Sequence, residues 1–201
     1  MNKFLDRTRG FAVLATLVLT LGGCAVGNRY DYGSAISGLP VSGSGKLAVD
    51  VIDARPYVLS GDKKPDFVGL QRGGFGNPFD VRTASGQPLA VEMRDAIGKA
   101  LQQQGFAVVG GAEAAPRKLE LRVFEWKTDV MMRMKTLYDL QLSVFDASGA
   151  LLAQSKTKGE DVGSGGFESG NATNAARTFE LRFTELVRDE AVRNALTTAA
   201  Q

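Results

Sequence analysis

The sequence predicts an α+β domain, a two-layer sandwich with a mostly antiparallel sheet of about five strands and two amphipathic helices on one face. Residues 117–158 contain successive segments in which apolar and polar residues alternate, the pattern of a strand meander. Residues 88–104 and 171–196 instead place apolar side chains at helical spacing. Because the sheet and each helix have one apolar face, we expect those faces to pack together.

A targeting segment precedes this domain at residues 1–23. Three basic residues within the first ten are followed by Phe11–Leu21, an almost entirely apolar run. That run is about 16 Å long as a helix, roughly half the thickness of a bilayer core, so it is too short to span a membrane. The basic head and the short apolar run are typical of a secretory signal peptide.

The signal peptide ends at the only cysteine of the chain, Cys24. Leu21-Gly22-Gly23-Cys24 resembles a bacterial lipobox. The resemblance implies cleavage between Gly23 and Cys24, a thioether-linked diacylglycerol on Cys24 and acylation of its amino group, and several acyl chains anchor a protein stably. The alternative is an ordinary secretory signal with a chance cysteine.

The residue after the cysteine is Ala25. In enterobacterial-type lipoproteins, an aspartate at this position is associated with retention in the inner membrane. The resemblance therefore implies the periplasmic face of the outer membrane, with the periplasmic face of the inner membrane as the alternative.

Composition excludes several classes of function. The chain has no histidine, the commonest general base and transition-metal ligand, and its single thiol is assigned to lipid. Residues 1–23 contain three of the 24 basic and one of the 22 acidic residues, so the remaining chain has 21 of each and is formally neutral. Neutrality argues against nucleic acid as a partner, since phosphate is bound by clustered Lys and Arg. We expect neither an enzyme nor a bound cofactor or metal.

Residues 24–45 are predicted to be the lipidated cysteine followed by a flexible tether. Ala25–Gly45 is rich in Gly and Ser and has no helical or strand period. A coil of this length has a root-mean-square span of about 25 Å, which would let the domain stand clear of the lipid surface. In the alternative interpretation, Tyr30 and Tyr32 pack onto the domain as an N-terminal arm.

The domain is predicted to occupy residues 46–201, beginning with a strand at Lys46–Ile52. The next segment, Arg55–Pro88, is Gly-rich and aromatic, and loops of this length are uncommon in compact domains and often functional. Short strands are expected at residues 57–59 and 66–70. The segment is either a packed insertion or a partner-binding loop. The candidate contact residues are Arg55, Tyr57, Phe67, Phe75 and Phe79.

The remaining elements follow in order. Pro88–Gln104 is predicted to be a helix, since Pro suits the first turn and Gly105 suits the position after the end. A change of face at Phe124 and Trp126 indicates a β-bulge or the end of a hairpin. One closing helix is expected to end at about Leu196. The strands are predicted at Phe106–Val109, Arg117–Trp126, Lys135–Phe145 and Ala150–Lys158.

Three methionines, Met131, Met132 and Met134, lie between two strands of the meander. Methionine is unbranched and adaptable, so the cluster indicates either a surface for a protein partner or a hairpin end near the core.

This order of elements is similar to that of the uncharacterised YajG-type periplasmic lipoproteins. The resemblance covers much of residues 46–198 and implies no catalytic residues. It rests on the Lys46–Asp53 strand, the Leu89–Gly105 helix, Leu119–Val130, the Tyr138–Gly149 strand and turn, and the closing helix. We expect a membrane-anchored accessory or assembly factor that binds an envelope protein. The alternative function is binding of a small ligand or glycan at the 55–88 loop.

The lipobox predicts that the mature chain begins at an acylated Cys24. We expect mass spectrometry of the purified mature protein to find residue 24 at the N-terminus with a diacylglycerol and an acyl group. We expect Cys24→Ser to remove the protein from the membrane fraction, because the acyl chains provide the anchorage. An unmodified Cys24, or cleavage at another bond, would contradict the prediction.

Overall fold

The computed structural model describes residues 28–72, 77–163 and 168–197. It has an α+β fold, as predicted, with a mixed, open sheet of eight strands and four helices among these residues. The strands are β1 Arg29–Tyr30, β2 Gly45–Asp53, β3 Phe67–Arg72, β4 Pro78–Thr83, β5 Phe106–Gly110, β6 Arg117–Val130, β7 Met134–Asp146 and β8 Leu151–Gly163. The helices are α1 Pro56–Leu59, α2 Leu89–Gln103, α3 Glu168–Arg188 and α4 Glu190–Thr197.

The sheet is larger and less antiparallel than predicted. The meander β6–β7–β8 is antiparallel, and so is the β3–β4 hairpin. The pairs β1–β4, β2–β5, β2–β6 and β3–β6 are parallel. The additional strands come from segments predicted as tether and loop. The two-layer arrangement stays a prediction.

Strand β6 is the longest strand and organises the sheet. One edge pairs with β7 along the whole of β6. The other edge is shared, since residues 117–123 pair with β2 and residues 128–130 pair with β3. The register of β6 shifts between Val123 and Glu125, so the change of face is a bulge rather than the end of a hairpin. The bulge lies where the strand paired with β6 changes from β2 to β3.

The core is built on one face of this sheet. Leu119, Leu121 and Val123 of β6 alternate inward and are almost fully buried. After the bulge, Trp126 continues this face and contacts Phe179 of α3 edge-on, with ring centroids 5.8 Å apart. Alternation and helical spacing therefore identified the contact faces correctly, because both periods direct apolar side chains to one side.

The described part of the predicted tether packs on the domain. Tyr30 and Tyr32 are fully buried, and β1 pairs with β4. The indole Nε1–H of Trp126 donates to the Tyr32 hydroxyl at 3.0 Å, and the Tyr32 backbone N–H donates to the buried carboxylate of Glu92 at 3.0 Å. Residues 28–45 thus form the N-terminal arm of the alternative interpretation. Cys24 and Gly23 lie outside the described residues.

The helices differ from prediction at their ends. Helix α2 closely matches the predicted span and ends before Gly105, whose φ is +98°. A Cβ at Gly105 would approach Gly43 O to 2.5 Å, so both conformation and space favour glycine. The closing helix is divided at Asp189, whose carboxylate accepts the Val192 N–H at 3.1 Å and begins α4.

The segment between residues 55 and 88 is largely structured. Residues 57–59, predicted as a strand, belong to the single helical turn α1, which begins at Pro56. The strand predicted at 66–70 is present as β3, and β4 was not predicted. The described part of this segment is therefore packed into the domain, and its role as a binding loop stays a prediction.

Removal of the Phe179 ring is expected to destabilise the domain by about 3–5 kcal/mol, because Phe179→Ala leaves a cavity beside Trp126. The control is Leu181→Ala in the same helix, where the side chain is 51% exposed and we expect a change within about 0.5 kcal/mol. Urea unfolding followed by circular dichroism measures both. Equal losses would show that the aromatic contact does not hold the helix to the sheet.

Candidate functional site

Arg55 fills the gap between β2 and β3 along the shared edge of β6. Its side chain is fully buried, and its Nε–H and Nη2–H donate to the two carboxylate oxygens of Asp53 at 2.8 and 2.6 Å. The same guanidinium donates to three backbone carbonyls, those of Phe67 at 2.6 Å, Pro65 at 3.2 Å and Trp126 at 3.3 Å. Arg55 therefore supplies donors at a place where neither strand continues the ladder.

The charge of Arg55 is stabilised in this position. Burial opposes its charged form, but the hydrogen bonds and negative charge of Asp53 outweigh burial and raise the pKa of the guanidinium. Tyr57 lies beside it, with its hydroxyl 2.7 Å from Glu125 Oε1 and 3.1 Å from Trp126 O. Burial is the main cause of the raised pKa of Tyr57, so the hydroxyl stays protonated and donates to one of these oxygens.

The structure separates the residues that were predicted as a partner-binding loop. Arg55 and Phe67 are buried, and Tyr57 is half-buried with its ring edge-on to Phe67. Phe79 is exposed on β4, whereas Phe75 lies outside the described residues. In this structure Arg55 and Phe67 hold the sheet together and present no surface to a partner.

A different surface is available at β5. Among the described strands, β5 pairs only with β2, so its other edge has no strand neighbour. Its sequence, Phe-Ala-Val-Val-Gly, has no charged residue. Ala107 is exposed, and Val108 and Val109 are half-buried. An uncharged open edge is a template on which an extended segment of another chain can pair.

A groove of about 390 Å³ lies beside this edge, between β5 and α2. Val49 and Val108 contribute apolar surface, and Gly98 of α2 leaves room because a Cβ there would reach the Val108 methyl at 3.5 Å. Arg94 and Lys99 provide polar groups on the helix side. The groove could receive alternate side chains of a segment paired with β5. We call β5 and this groove the β5 edge site.

The loop after β5 closes one end of the site. The Glu113 backbone N–H donates to Gly110 O at 2.9 Å, and the Gly110 N–H donates to the Glu113 carboxylate at 3.3 Å. A second groove of about 360 Å³ lies on the other side of this loop, where Glu113, Lys118 and Phe145 are among its lining residues. Both grooves therefore adjoin Glu113, at the edge of the sheet to which β5 belongs.

Strand β8, the opposite long edge, differs in character. It pairs only with β7 among the described strands. Lys156, Lys158 and Glu160 are exposed along it, and charged side chains of this kind protect an edge from further pairing. The absence of charged residues therefore distinguishes the β5 edge from the β8 edge. The sequence predicted the β5 strand but could not show that it lies at an edge, since edge position depends on the order of the sheet.

Neither a membrane-spanning helix nor a metal-binding cluster was found in the part of the chain that the structure describes. No helix there has the length and apolarity needed to cross a membrane. No group of three or more His, Cys, Asp or Glu side chains is arranged there to hold a metal ion.

Comparison with known proteins shows a shared fold. No family model and no curated protein matches the chain. A DUF330 protein from Xanthomonas campestris is similar in structure, with a TM-score of 0.56, 15% identity, and coverage of 80% of this chain and 93% of that chain. The resemblance to the YajG-type family stays a prediction.

Other solved structures are similar at lower scores. The PelC dodecamer from Paraburkholderia phytofirmans has 13% identity and a TM-score of 0.42, covering 74% of this chain and 91% of that chain. Lipoprotein GNA1162 from Neisseria meningitidis has 15% identity and a TM-score of 0.29, covering 71% and 99%.

Arg55→Met is expected to lower the free energy of unfolding by about 3–5 kcal/mol, because it leaves the Asp53 carboxylate without its guanidinium partner and removes one donor from each of three backbone carbonyls. The control is Arg122→Met on the exposed side of β6. Arg122 pairs with Glu120 at 3.1 Å with its side chain 40% exposed, so we expect a loss of about 0–1 kcal/mol. Denaturant unfolding measures both. A small loss at Arg55 would contradict its role in joining β2 and β3.

Proposed function

We propose that this chain is a lipoprotein anchored through Cys24 on the periplasmic face of the outer membrane, and that it is a non-enzymatic accessory or assembly factor. The lipobox resemblance supports the anchor, and Ala25 supports the outer rather than the inner membrane. Its partner is an envelope protein that adds an extended segment to the β5 edge site.

The open edge of β5 is the observation that carries this proposal. A segment paired with β5 gains backbone hydrogen bonds whatever its sequence, and side chains that enter the groove provide selectivity. Formal neutrality of the mature chain fits recognition by backbone and shape rather than by a strong field. The amphipathic groove wall, with Val108 opposite Arg94 and Lys99, suits a segment of alternating apolar and polar residues.

A small ligand or glycan at the 55–88 segment is the competing hypothesis. Burial of Arg55 and Phe67 removes two of the residues predicted for a binding loop in this segment from the surface. Phe67 and Phe79 line neither of the two grooves described above. The proposal therefore places recognition at β5.

A photocrosslinking side chain at Gln102, an exposed position lining the groove, is expected to capture an envelope protein in cells. A second substitution, Ala107→Glu, should reduce the yield severalfold, because a charge on β5 opposes strand pairing. Lys46 is the register partner of Ala107, so the new carboxylate faces a cation and the domain should stay folded.

The matched control is Gln154→Glu, which adds the same charge to the β8 edge and should leave the crosslinking yield unchanged. Mass spectrometry identifies the adduct. Recovery only of a second copy of this chain, or equal loss with both substitutions, would contradict the proposed partner site.

A further inference from the structure

The described chain starts close to one end of the sheet. The Asn28 side-chain amide donates to the Gln71 side chain, and Asn28 O accepts the Arg82 N–H at 3.1 Å. Gln71 is the register partner of Val130, the last residue of β6. Three strand spacings of about 4.8 Å separate β1 from β6, and the register places Asn28 level with Thr128, about 7 Å short of Val130 along the strands, so Asn28 lies about 16 Å from the end of β6 at the β6–β7 hairpin.

The packed arm leaves little chain between this point and the anchor. Four residue steps connect Cys24 to Asn28, and each spans at most about 3.6 Å, so the sulfur-bearing residue is no more than about 14 Å from Asn28. The lipid would therefore enter the membrane close to this end of the sheet. The span of about 25 Å expected for a free tether does not apply.

Exposed apolar side chains surround the same end. Met131 and Met132 at the β6–β7 tip are 65% and 85% exposed. Val162 of β8 is the register partner of Lys135, near the start of β7, and Phe79 of β4 is the register partner of Gln71 of β3. Both are exposed, at 55% and 37%. These four residues form what we call the apolar tip.

The tip also has groups suited to a lipid headgroup region. Arg133 follows the two methionines and is exposed. Arg72 is fixed by a bidentate pair with Asp129, at 3.0 and 2.7 Å, which joins the β3–β4 hairpin to the end of β6. Apolar side chains beside an exposed cation match the boundary between acyl chains and phosphate.

We infer that the apolar tip rests in the phospholipid surface to which Cys24 is attached. The short connection holds the tip at the lipid, and Met131 and Met132 enter the interface. The domain then stands on the membrane with β6 running toward the lipid, from Arg117 at the far end to Val130 at the tip. This inference rests on the anchor in the proposed function, and it adds an orientation that lipidation alone does not require.

The test uses the lipidated mature chain with Met132→Cys and, separately, Val162→Cys, each labelled with an environment-sensitive nitrobenzoxadiazole group. Lipidated Cys24 is a thioether and does not react with the label. The vesicles contain phosphatidylethanolamine, phosphatidylglycerol and a doxyl-labelled lipid that quenches the fluorophore on contact. Leu152→Cys is the matched control, since Leu152 is an exposed apolar residue, 42% exposed, at the opposite end of the sheet.

We expect severalfold stronger quenching at residues 132 and 162 than at residue 152. Equal or weaker quenching at the tip, in a chain that floats with the vesicles, would overturn the orientation and would favour a protein as occupant of the tip. If the mature chain, purified from membranes and mixed with the vesicles, does not float with them, the anchor itself is contradicted and, with it, this inference. Flotation therefore distinguishes failure of the proposed function from failure of the orientation.

Discussion

The hydrogen bonds of Arg55 complete the sheet at its weakest point. β2 and β3 approach the same edge of β6 from two separate parts of the chain, and neither reaches Trp126 with its backbone. A buried carbonyl without a donor costs about 1–3 kcal/mol, and Arg55 donates to three carbonyls at this position, of which Pro65 O also accepts the Leu89 N–H. A planar guanidinium has donors in enough directions to satisfy them while pairing with Asp53. Two strands can therefore share one edge without leaving a polar gap.

This junction positions the two surfaces to which we assign function. The half of β6 that pairs with β2 also places β5, because Val49 aligns with both Leu119 and Gly110. The half that pairs with β3 places the apolar tip. Eleven residue steps separate Leu119 from Val130, about 36 Å at ~3.3 Å per residue. In the inferred orientation, the β5 edge site is thus presented far from the lipid, where an envelope protein can reach it.

The sequence was informative where local periodicity determines structure. Alternation in β6 and β7 identified the meander, and the change of face at Phe124 identified the bulge, since both signals are contained within one strand. Helix α2 could also be predicted from the sequence, because its apolar stripe and Gly105 lie within one segment. The tether was misread because Gly and Ser indicate flexibility, whereas burial of Tyr30 and Tyr32 depends on partners far along the chain, including Trp126.

The same distinction explains why the candidate site could not be located from the sequence. Arg55 beside Pro56 is typical of an exposed loop, and only the separation of β2 from β3 converts it into an interior donor. Conversely, β5 is typical of an ordinary buried strand, and only the order of the sheet leaves its edge open. The β5 and β8 edges also differ in charge, and the pattern within each strand does not show that either one lies at an edge. Charges along β8 oppose further pairing and β5 has none, so of these two edges β5 is the one that favours an added strand, which is why we propose it as the partner site.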